Sequence, residues 1–139
     1  MHQVDLNQRR LADAGTLPAV LAASWETFEL IAAIAAASAE DSPDMYPAFT
    51  FARGAAVSGR NAITFAPSLP PVPGDSAHNP PELTGDAYET ADALAGLASA
   101  LSMRLRESAG LAAAAADCSA CENAASEADR ITQLLAKET

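Results

Sequence analysis

With 139 residues and a mass of 14.2 kDa, the chain is sized for a single domain, 1–139, with a core of its own. Alanine supplies about a quarter of it and only seven residues are aromatic; alanine is the best helix former and strand-type alternation is nearly absent, so the expected fold is all-α. A formal net charge of −10, from 18 acidic against 8 basic residues, argues against nucleic acid or an anionic membrane as partner, because both are held by Lys and Arg.

Residues 1–15 form an N-terminal arm in which Val4 to Ala14 predict a short helix, with Gly15 suited to the left-handed residue past its end. Polar and charged residues occupy the place where a signal peptide carries its apolar core, and a cytoplasmic protein is expected. Thr16 then caps a long helix that runs to Glu40, with Pro18 in the first turn, where a missing N–H costs nothing. Leu17, Leu21, Ser24, Phe28, Ile31 and Ala35 recur at steps of four and three and mark its core face, which Val20, Trp25 and Ala32 widen. No charge falls between Leu30 and Ala39, so the helix is expected to be covered on more than one side. That stretch alone is shorter than the roughly 20 apolar residues of a bilayer span.

Pro47 decides where the second long helix starts. With Asp44 as cap it falls in the first turn, so the helix is predicted from Met45, and its stripe Met45, Phe49, Ala52, Ala56, Gly59, Ile63 and Ala66 ends at Pro67. Gly54 and Gly59 each cost about 1 kcal/mol relative to alanine, so close helix contact is expected at Gly54/Ser58 and Ala55/Gly59. Phe51 and Phe65 lie off this stripe, as Leu30 does on the first helix. Large apolar side chains on an outward face are expected where another surface covers them, which makes Leu30, Phe51 and Phe65 a candidate self-association interface.

Residues 67–83 hold six of the nine prolines and predict a long Pro-rich loop. It contains P-x-x-P spacings at Pro67/Pro70 and Pro70/Pro73 that could suit an aromatic groove on a protein partner, but the signal is weak and a plain linker is the favoured reading. At about 3.1 Å per residue it can join antiparallel neighbours or cross the full length of a helix, and both connectivities stay open. Thr84 is expected to cap the third long helix, with the stripe Ala87, Ala91, Leu94, Ala98, Leu101, Leu105 and Ser108 and a stop at Gly110. A fourth is expected from Leu111 to about Lys137, with Leu111, Ala114, Cys118, Cys121, Ala125, Ala128, Ile131 and Leu135 inward. Four long helices of similar length predict a four-helix bundle with a short extra N-terminal helix.

The chemistry-bearing residues are few. Cys118-Ser-Ala-Cys121 has redox spacing, but no strand precedes it and the pair sits within a helix, so both are read as small buried core residues. A soft metal shared across a subunit interface, with Cys118 and Cys121 as two of its ligands, is the lesser alternative, since a closed zinc site takes four ligands. His2 and His78 lie outside the predicted long helices, so the Glu-x-x-His pairs of a di-iron bundle are missing, and the Glu26/Glu29 pair is read as a solvated face. P-loop, dinucleotide, metalloprotease and nucleophile-elbow motifs are lacking as well. The expectation is a non-enzymatic interaction or assembly module, a homo-oligomer, most simply a homodimer, without a cofactor. The alternative is a bundle that holds an apolar small molecule beside Trp25, Phe28 and Phe49.

Overall fold

The computed structural model of the chain describes residues 2–71 and 85–136. Among them it is all-helical, without strands: α1 is His2–Asp13, α2 Leu17–Asp41, α3 Tyr46–Thr64, α4 Ala87–Leu111 and α5 Ala115–Leu135, with a 3₁₀ turn at Pro43–Met45.

The Thr16 side chain caps α2, accepting a hydrogen bond from Ala19 N at 3.3 Å, with Pro18 in the first turn. Leu21, Ser24, Phe28, Ile31, Ile34 and Ala35 are fully buried. No residue between Val20 and Ala39 is freely exposed, which is the covering on several sides that the uncharged run implied. By length and composition α2 is also apolar enough to cross a membrane; here it packs against α3, α4 and α1.

Several boundaries differ from the sequence expectation; α3, for one, ends at Thr64, before the predicted stop at Pro67. Asp44 is drawn into the 3₁₀ turn, where Met45 N bonds Ser42 O at 3.1 Å, so α3 starts at Tyr46 with no side-chain cap. Pro47 still falls in its first turn, as required of a residue without an N–H. Asp86, not Thr84, caps α4: its carboxylate accepts from Glu89 N at 2.8 Å, and Gly85 (φ +90°) supplies the turn that brings it there. Thr84 itself lies outside the described residues.

Gly15 and Gly110 do not adopt the left-handed conformation; Gly85 is the positive-φ glycine of the described chain. Gly110 is helical, α4 continues through Leu111, and the break falls in the alanine run, where Ala112 and Ala114 are extended. A run of identical small side chains carries no signal for where a helix stops, so neighbouring packing chooses. Leu111 is consequently 83% exposed, and the buried face of α5 begins at Asp117 instead of Leu111 and Ala114.

α3 packs between α2 and α5, α4 packs on α5 and more lightly on α2, and α1 lies across α2 and α4. Polar links fix several of these contacts. Arg104 of α4 donates through Nε to Leu11 O at 3.0 Å and through Nη2 to Ala14 O, satisfying carbonyls that the end of α1 leaves free. Ser102 Oγ donates to Asp129 Oδ1 at 2.6 Å and Arg106 Nη2 lies 2.7 Å from Asp129 Oδ2, joining α4 to α5. The chain leaves α3 beside the start of α5, through Ser68 on Asp117. It enters α4 beside the end of α2, where Ser38, Asp41 and Ser42 line one small cleft with Gly85 and Thr90.

Candidate functional site: the outward face of α3

Phe49, Ala52, Ala56, Gly59 and Ile63 turn inward on α3, and all are buried. Gly59 is where a side chain has no room: a Cβ there would stand closer than 3.0 Å to three atoms of the Phe28 ring. The close approach expected at Gly59 is therefore present, between a glycine and an aromatic ring of α2. Gly54 and Ser58 do the opposite. Both are exposed, and a Cβ on Gly54 would meet nothing within 4 Å, so the contact expected at Gly54/Ser58 is not made within the chain.

The inward register fixes what points out. Phe51 is 65% exposed and Phe65 is 79% exposed, although α3 is flanked on both sides by packed helices. Thr50, Gly54, Ser58, Asn61 and Thr64 share the exposed side with them. The helix has no Asp or Glu; its two charges are Arg53, which is exposed, and Arg60, which is ion-paired with Glu29 of α2. Every other α-helix of the described chain carries at least two acids. Leu30 sits differently: it is half-buried and packed against the core of its own chain.

The remaining candidate residues fall elsewhere. Glu26 and Glu29 are not simply a solvated face, since Arg10 of α1 lies 3.3 Å from Glu26 and Arg60 of α3 holds Glu29. Cys121 is fully buried, but Cys118, expected beside it in the core, is only half-buried. Burial, aided by the charges of Asp117, Cys118 and Glu122, pushes the Cys121 thiol up to about 11. Burial raises Cys118 also, helped by Glu122, which accepts a bond from its Sγ at 3.7 Å. Both sulfurs are thus held as thiols near neutrality, the less nucleophilic and less metal-binding form. Among the described residues, no three His, Cys, Asp or Glu side chains come together as a metal site. His2 is exposed in α1, and His78 lies outside the described residues.

Phe28 and Phe49 are fully buried, and the room that Gly59 leaves is taken by the Phe28 ring. A cavity of about 290 Å³ is lined by Met45, Tyr88, Ala91 and Leu134, at the starts of α3 and α4 and the end of α5, and not by Trp25, Phe28 or Phe49.

One residue that the sequence reading passed over is Asp117. It is 3% exposed and accepts from Ser68 N at 3.0 Å and Ser68 Oγ at 2.6 Å, tying the chain beyond α3 to the first turn of α5. An aspartate in a first helical turn reads as a favourable dipole contact; its partner is 49 residues away, so no local pattern points to it. Asp86 was more legible, since Asp-x-x-Glu at Asp86/Glu89 is the spacing of a capping box. Compared with protein-family models, curated proteins and solved structures, the chain matches none.

Proposed function

We propose that this protein is a non-enzymatic, cytoplasmic helical assembly module that associates with a second copy of itself through the outward face of α3. One observation carries the reading: two phenylalanines stand well out of a helix that has no acid, in a chain with net charge −10. Large apolar patches left in water favour a partner that covers them. Two strongly acidic molecules also approach at least cost where neither presents a carboxylate.

The scaffold in this reading is a four-helix bundle formed by α2, α3, α5 and α4, with α1 laid across one end. The contacts of Ser68 with Asp117, and of the α2 terminus with the start of α4, favour the crossover connectivity, with α3 and α4 running the same way on opposite corners. No catalytic group, cofactor or metal is part of the proposal, and a further protein partner for the Pro-rich segment is compatible with it.

The test is the mass in solution over a wide concentration range, for the wild type and for Phe51→Glu. A wild-type mass that doubles with concentration, and a variant that stays monomeric with unchanged helix content, are the expected results. A wild type that is monomeric throughout would refute the reading.

A further inference from the structure

The exposed residues Phe51, Ser58 and Phe65 of α3 are evenly spaced, with Ser58 seven residues from each phenylalanine. Exposed Gly54 and half-buried Ala62, which rests partly against the core of its own chain, complete a stripe with steps of three, four, four and three, which at 100° per residue stays on one side of the helix. Large residues close the stripe at both ends, small ones fill its middle, and Ser58 is its midpoint. The geometry points to an antiparallel pairing of α3 with α3 of a second copy about a two-fold axis at Ser58. This rests on the self-association proposed above and specifies its register.

Three observations select a second copy as occupant. A two-fold interface must be self-complementary, with residue i facing j and j facing i. About an axis at Ser58, Phe51 of one chain meets Phe65 of the other and Gly54 meets Ala62, so each large residue has an apolar partner and each small one leaves room for the opposing backbone. The space in front of Gly54 is open, and Ser58 is exposed, as an approaching helix requires. Charge excludes most other partners: a basic protein would find no carboxylate on this face, and an acidic one would find Arg53 alone, since Arg60 is committed to Glu29. An identical acid-free stripe has no charge to leave unpaired. From Phe51 to Phe65 the stripe rises about 21 Å, so one antiparallel pass of α3 against α3 is long enough to bring both Phe51/Phe65 pairs together.

Two variants test the register in the full chain. The first is Ser58→Cys in a Cys118→Ser, Cys121→Ala background. Across a two-fold axis this cysteine faces its own copy, so mild oxidation converts most of the protein to a covalent dimer, while Arg53→Cys in the same background stays largely monomeric. The second is a charge exchange. Phe51→Glu alone raises the dissociation constant at least tenfold, and the double substitution Phe51→Glu, Phe65→Arg recovers most of that loss, because position 51 faces position 65 of the other copy. Circular dichroism confirms that each variant keeps its helix content. A wild type that dimerises while Ser58→Cys fails to cross-link, or while the double variant stays as weak as Phe51→Glu, overturns the antiparallel register and leaves self-association standing. A wild type that never dimerises overturns both.

Discussion

At the scale of single residues, the polar groups that matter are those whose partners lie far along the chain. Asp117 is buried and takes two hydrogen bonds from Ser68. Bonds to a charged acceptor are worth about 1.5–3 kcal/mol, so Asp117→Ala is expected to lower the unfolding free energy by roughly 2 kcal/mol in urea titrations. Asp129 shows competition between effects: burial raises its carboxyl, but bonds from Arg106 and Ser102 and the Arg106 charge outweigh this and hold it below the ordinary aspartate value. A carboxyl depressed by folding stabilises fully above its unfolded pKa, and that contribution is lost as the pH falls through the folded one. Asp129→Asn should therefore flatten the acid side of the stability profile below about pH 4, by well under 1 kcal/mol because the pair is half-exposed. The cysteines run the other way. Cys121 is raised from 9.0 to about 11, so stability is retained below pH 9 and falls between pH 9 and 11 as the unfolded chain loses its thiol proton first. At pH 7.5, iodoacetamide should label Cys118 slowly and Cys121 only on unfolding, as mass spectrometry can follow.

At the scale of elements, α3 holds two glycines whose roles are opposite. Gly59 lies against the Phe28 ring, which is fully buried, so Gly59→Ala is an overpacking change expected to cost about 1–3 kcal/mol. Gly54 is exposed, helical and faces open space within its own chain, so in the dilute monomer Gly54→Ala should add about 0.5–1 kcal/mol by improving helix propensity. Thermal unfolding of the two variants side by side separates the effects. α1 illustrates how a short helix is retained. Its apolar contribution to the core is small, chiefly Val4 and Leu11, and its end is held by Arg104 from α4, so Arg104→Ala should loosen α1 first, visible as faster amide exchange over residues 4–13.

At the scale of the whole molecule, the organising feature is unequal charge. Among the α-helices, α1, α2, α4 and α5 all carry acids and α3 has none, and the proposed interface lies on the outward face of that acid-free helix. If that face is the interface, added salt should tighten the association, since it screens repulsion between the remaining acids without weakening an uncharged contact. A dimer that weakens with salt would instead mean that ion pairs hold it.

Much of this protein was determined by its sequence alone. Alanine content and the absence of strand patterning set an all-helical chain, and steps of three and four marked the inward faces of α2, α3 and α4, because helical periodicity is a local property that each segment carries within itself. Thr16 and Pro47 placed the helix starts near them for the same reason. The tertiary structure decided what depends on neighbours: where the alanine run breaks, that Cys118 is half out of the core, that Glu26 and Glu29 are ion-paired, and that Asp117 binds Ser68. Such choices are made by side chains brought together from distant positions, and a single segment holds no record of what will be packed against it.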